Sequence, residues 1–83
     1  MSNSIDVELD ATGLQCPMPL LKAKRALNGM LPGQVLRVQA TDAGSARDFE
    51  VFSRQSGNTL VSSTESGGVF THVLRKHQPD PAC

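Results

Sequence analysis

Asp10-Ala11-Thr12-Gly13-Leu14-Gln15-Cys16-Pro17-Met18-Pro19 is the stretch on which the fold turns. Before it, Ile5, Val7 and Leu9 alternate with Asp6, Glu8 and Asp10, the period-two pattern of a half-buried strand. Gly13 interrupts that pattern and lets the chain turn sharply. After it, Leu20, Ala23, Leu27 and Met30 recur at helical spacing. Proline is tolerated in a first helical turn, where its missing N–H has no partner anyway, so the helix is predicted to start at Cys16 or Pro17. Asn28-Gly29 and Pro32-Gly33 end it. The stretch is therefore a strand-to-helix junction that carries a cysteine.

Working outward, Val35–Ala40 reads as a second strand with Leu36, Val38 and Ala40 on one face. Asp42 is the predicted N-cap of a second helix, with Ser45 three residues on and Ala46, Phe49 and Phe52 or Ser53 on its buried side. Ser56-Gly57-Asn58 ends that helix. Thr59–Thr64 and Val69–Lys76 read as strands joined through Ser66-Gly67-Gly68 in a hairpin. The order is β-α-β-α-β-β. A strand–helix–strand unit of this length implies a right-handed parallel crossover, and both helices then cover one face of the sheet in a two-layer α+β sandwich. Asp6, Glu8, Asp10, Arg37 and Gln39 fit the other, wetter face.

With 83 residues the chain has room for one domain, placed at residues 1–77, followed by a frayed tail at 78–83 that holds two prolines and no periodicity. Eight basic residues balance eight acidic ones, and the only aromatics are three Phe. That argues against direct nucleic-acid binding, which usually shows a basic face or stacking rings. No apolar run approaches a membrane span, and the N-terminus lacks a basic region followed by an apolar core. Two distant cysteines make neither a disulfide framework nor, with two scattered histidines, a zinc site. The expected compartment is the reducing cytoplasm.

Cys16 carries the chemistry. As an N-cap its sulfur sits beside the positive end of the helix dipole, a place that favours a thiolate. Pro17 and Pro19 remove two first-turn donors, so the sulfur is not consumed as a structural acceptor. A helix terminus supplies roughly 0.3–1 kcal/mol at an exposed site, which lowers a thiol pKa by less than about one unit. The predicted thiol is moderately reactive. No cysteine lies three residues away, which excludes a thioredoxin-like dithiol.

Asp10, Gly13, Leu14, Cys16, Pro17 and Pro19 match a pattern D-x-x-G-L-x-C-P-x-P, which resembles the signature of the TusA-like family of sulfur carriers, also called SirA-like. Asp42 with Ser45-Ala46-Arg47-Asp48-Phe49 resembles that family's acidic stretch opening the second helix, and the similarity runs from about Val7 to Lys76. The resemblance implies a four-stranded mixed sheet with two helices. It implies a sulfurtransferase-type relay in which Cys16 accepts sulfane sulfur as a persulfide from a cysteine desulfurase or other donor protein. An acceptor protein then takes the outer sulfur. No metal or organic cofactor is implied. Transfer-RNA thiolation, sulfur oxidation and molybdenum-cofactor supply are the pathways linked to the family. Members dedicated to transfer-RNA thiolation often carry Arg before the cysteine, where this chain has Gln15.

The remaining candidates are weaker. Asp10 is expected either to hold the loop by accepting backbone N–H bonds or to be a solvated strand carboxylate. Lys22, Lys24 and Arg25 form a basic cluster on the first helix, and Lys22 and Arg25, with Arg47 and Asp48 on the second, are candidate partner-docking residues. An ordinary solvated helix face is the competing reading. His72 shares a face with Phe70 and Leu74 and reads as a packed or edge histidine, and Cys83 as an adventitious tail thiol. A monomer is expected. The alternatives to a sulfur carrier are a non-catalytic interaction or redox-regulatory module with a structural Cys16 and, least favoured, a small RNA-binding domain.

Overall fold

Alternating apolar residues and two amphipathic stretches build six elements in the computed structural model, which describes residues 5–15 and 18–77. They are β1 (Val7–Ala11), α1 (Met18–Asn28), β2 (Val35–Ala40), α2 (Ser45–Ser56), β3 (Thr59–Ser66) and β4 (Val69–Arg75). The sheet order is β1-β2-β4-β3, with β1 and β2 parallel and the other neighbours antiparallel. The mixed four-stranded sheet and two helices are as the sequence predicts. Gly67 and Gly68, at φ 58° and 84°, make the two-residue turn between β3 and β4, and positive φ at both positions matches the twist of the strands.

One core joins the layers. Ala11, Leu36, Val38 and Leu74 of the sheet pack with Ala23, Leu27, Phe49 and Phe52 of the helices. The opposite sheet face is open, and Glu8 and Arg37 pair across it at 2.7 Å. Both groups are well exposed, so that pair contributes about 0–1 kcal/mol. Because β1 and β2 run the same way, the residues after both strands meet at one end of the sheet, and both helices start there.

Several details differ from the sequence reading. The predicted start of α1 at Cys16 or Pro17 falls outside the described residues, among which the helix begins at Met18. Its buried residues are Pro19, Ala23 and Leu27, while Leu20 is half-buried. Met30 is buried but lies past the last turn. The N-cap of α2 is Gly44, not Asp42, and it makes no side-chain cap bond. Asp42 acts one step earlier: its Oδ2 accepts from Gly44 N–H at 3.1 Å and its carbonyl from Ser45 N–H at 3.1 Å. Strand β3 extends to Ser66 and carries an irregularity between Leu60 and Ser62, where Val61 is left exposed.

Candidate functional site

The junction after β1 is pinned at several points. Asp10 Oδ1 accepts from Thr12 N–H at 3.0 Å and from Thr12 Oγ1 at 2.6 Å. The Thr12 side-chain bond, then its backbone bond, hold the Asp10 carboxyl below its ordinary value of 3.8. Gly13, at φ 82°, donates its N–H to Thr41 Oγ1 at 2.8 Å. Thr41 follows β2, so the two loops at this end are tied together. Leu14 N–H reaches the Ala11 carbonyl at 3.3 Å, and its side chain packs on the core. Met18 N–H donates to the Gln15 carbonyl at 2.8 Å. The expectations for Cys16, Pro17 and Cys83 concern residues outside the described ones.

Thr12 and Thr41 escaped the sequence reading, although a signal was present. Ala11-Thr12 and Ala40-Thr41 follow the same pattern, and Ala11 pairs with Ala40 across the parallel strands. Parallel register therefore brings the two hydroxyl residues side by side. The first turn of α1 contains no acidic residue, whereas Asp48 stands in the first turn of α2. Pro19 is buried, which anchors the start of α1 against the core.

The proposed basic cluster divides. Lys22 and Arg25 line a groove of about 540 Å³ with Leu9, Met18, Leu21 and Ala26. Met18 and Leu21 are 43% and 47% exposed, unusual for large apolar side chains beside a charged rim. Lys24 points the other way, with its Nζ 5.6 Å from the centre of the Phe52 ring. Residues at i and i+3 are neighbours on a helix and residues at i and i+2 are not, which separates Lys24 from Lys22. Arg47 and Asp48 line a smaller trough between α1 and α2 with Leu20 and Val51.

His72 is fully buried. Its Nε2 is 2.9 Å from Ser45 Oγ at the start of α2, and its Nδ1 meets Ser63 Oγ on β3. The ring stacks on Phe49 with centroids 4.7 Å apart. Burial pushes the imidazole below 6.5. The group is a packing device of the core, and no sequence signal paired it with serines 27 and 9 residues away. Among the described residues no cluster of three metal-ligating side chains occurs. No helix among them is long and apolar enough to cross a membrane.

A strand-to-helix junction pinned by hydroxyl residues, on a four-stranded sheet with two helices, defines a small α+β domain. The family whose signature the junction resembles is one that matches: the family described as Sulfurtransferase TusA covers residues 7–76, and the chain belongs to it. A sulfur carrier protein TusA of Allochromatium vinosum is 55% identical over 71 residues, covering 86% of this chain and 93% of that protein. A putative sulfur carrier protein of Neisseria meningitidis is 54% identical over 67 residues, covering 81% and 90%. The crystal structure of a SirA-like protein from Desulfitobacterium hafniense superposes with a TM-score of 0.75 at 23% identity, covering 87% of this chain and 99% of that one, and shows the same fold.

Proposed function

We propose that the protein is a sulfur carrier that holds sulfane sulfur as a persulfide on Cys16. The observation that carries this reading is the place of residue 16 in the chain. It lies between a loop pinned through Asp10 and Thr41 and a helix whose first turn is free of carboxylates. The names of the similar proteins support the same reading. The Cys16 thiolate attacks the terminal sulfur of a donor protein's persulfide. A new S–S bond forms at Cys16, the donor's S–S bond breaks, and the donor cysteine leaves as a thiolate that takes up a proton. An acceptor thiolate then attacks the outer sulfur and Cys16 leaves as thiolate. Each step is an exchange without net oxidation, governed by thiolate fraction and access.

Donor and acceptor are proteins in this reading, with a cysteine desulfurase as the typical donor. The groove bearing Met18, Leu21, Lys22 and Arg25 adjoins the junction, and a partner segment mixing apolar and acidic residues suits it. Arg47 and Asp48 form a second contact zone. The chain works as a single cytoplasmic domain over residues 1–77, as a monomer that meets one partner at a time, in transfer-RNA thiolation or a related sulfur-trafficking route.

Intact mass spectrometry after incubation with a cysteine desulfurase and cysteine tests the proposal. The expected result is a gain of one sulfur atom that a reductant removes, lost in Cys16→Ser and kept in Cys83→Ser. Equal loading of Cys16→Ser, or no loading by either the desulfurase or a small-molecule persulfide, overturns it in favour of an interaction module.

A further inference from the structure

The end of the sheet opposite the β1–α1 junction carries a second concave surface. Here α1 and α2 finish and the chain leaves β4. The cleft holds about 440 Å³ and is lined by Lys24, Lys76 and His77, by the neutral donors Ser56 and Asn58, and by an apolar floor that includes Phe52. Among its described lining residues none is acidic. Along α1 its lining residues, from Lys24 to Asn28, stand about 9–15 Å from Met18. It shares no lining residue with the groove beside Met18.

Cations near helix C-termini often serve only to satisfy terminal carbonyls. Here backbone amides already serve several of them. Gly29 N–H donates to Ala26 O, Met30 N–H to Leu27 O, and Gly57 N–H to Ser53 O. Each helix end carries about half a unit of negative charge, so two ammonium groups leave the cleft positive. The polar walls are also held in place. Asn58 is 7% exposed and its Oδ1 accepts from His77 N–H at 2.5 Å. That bond uses the acceptor of the carboxamide and leaves its NH₂ donors for other partners. Ser56 Oγ accepts from Asn58 N–H at 3.2 Å, so the hydroxyl proton is directed elsewhere. The His77 ring lies over Gly57, where an added Cβ would come 3.1 Å from Nδ1. Lys24 is steadied over the Phe52 ring.

Two point charges, two fixed neutral donors and an apolar floor are the complement of a phosphate group on a compact apolar or heterocyclic body. Lysine binds phosphate as a point charge, and pockets of this size take ligands of mononucleotide dimensions. We propose that this cleft is a binding site for a phosphate monoester, separate from the sulfur-handling junction. Occupying it leaves the groove beside Met18 open to partners.

Amide-resolved NMR titration of the full chain with adenosine 5′-monophosphate tests this, with adenosine, inorganic phosphate and chloride at matched ionic strength run in parallel. The expected result is saturable shifts at Lys24, Ser56, Asn58, Lys76 and His77, weaker binding of inorganic phosphate at the same amides, and none with adenosine or chloride. A Lys24→Gln, Lys76→Gln double variant should weaken the monophosphate at least about tenfold, as loss of two charge-assisted contacts implies. It should keep its spectrum elsewhere and its sulfur loading at Cys16. Equal shifts with chloride or adenosine, shifts centred on the residues around Met18, or unchanged affinity in the folded double variant would overturn the proposal. The sulfur-loading result decides the carrier reading independently.

Discussion

β1 ends at Ala11 and the described part of α1 begins at Met18, while residues 41–44 lead from β2 to α2. Both passages lie at the same end of the sheet, yet they are held differently. The entrance of α2 is fixed from inside the core: Ser45 is buried and meets His72, which is stacked on Phe49 and also meets Ser63. The entrance of α1 has Pro19 in the core, but its polar ties, through Asp10, Thr12 and Thr41, are all at the exposed end. The two also differ in charge, since α2 has Asp48 in its first turn and α1 has no acid there. A structural entrance is thus buried and charge-compensated. The entrance before α1 has its polar ties on the surface, with its helix dipole uncompensated by its own first turn.

The largest effect should come from the buried entrance. His72→Ala removes a stacked ring and strands the Ser45 hydroxyl, at a cost of about 3 kcal/mol. Thermal or urea unfolding measures it, and a loss below about 1 kcal/mol would show that α2 does not depend on this contact. The same group sets a pH dependence. Burial favours neutral His72, so its folded pKa lies below 6.5 and the unfolded chain binds more protons beneath that value. Stability should be full above 6.5 and fall as pH drops from 6.5 towards the lower folded value. His72→Leu should flatten that slope in urea titrations from pH 7 to 5, and an unchanged slope would assign the dependence to another group.

Strands and hairpin were legible because alternation and a Gly-Gly turn are local signals, and the parallel direction of β1 and β2 follows from the crossover. The junction around Gly13 was legible too, and its φ of 82° is what glycine at that position permits. The polar contacts that hold it were not. Thr41 is 28 residues from Gly13, and only the parallel register brings them together. The sequence places Ser45 only by its spacing from Asp42, and its burial depends on a tertiary partner, His72, 27 residues away. The capping error at Asp42 has a similar source. A carboxylate two residues upstream can bond Gly44 N–H without being the cap, and only backbone angles separate the cases.

The surface entrance should respond more mildly to substitution. In Gly13→Ala a Cβ meets nothing within 4 Å, so the cost is that of positive φ alone, about 1–2 kcal/mol. Thr41→Val removes the acceptor for Gly13 N–H at an exposed site and should cost about 0.5–1 kcal/mol. In both variants the rate of sulfur loading should fall more than stability does, because the loop next to Cys16 loosens while the core is intact. Parallel measurement of loading rate and urea midpoint separates the two effects. Loading that tracks stability alone would mean that the Asp10–Thr41 frame supports the fold without positioning the cysteine.

The smallest expected effect bears most directly on the charge difference between the entrances. Met18→Glu places in the first turn of α1 the kind of acid that α2 already has. A carboxylate there complements the helix dipole, so the helix itself should be slightly stabilised. The same charge competes with a thiolate for the positive helix end. Less than about one pKa unit is at stake, so alkylation of Cys16 by iodoacetamide at pH 7 should slow about two- to fivefold. Met18→Gln, equal in size and neutral, should alkylate at nearly the parent rate. Added salt should narrow the gap between the Glu and Gln variants, because exposed charges a Debye length apart are screened. If Glu and Gln react alike at low salt, the carboxylate-free first turn has no influence on the thiol, and the reactivity of Cys16 has to be sought in the loop and in the partner that docks against it.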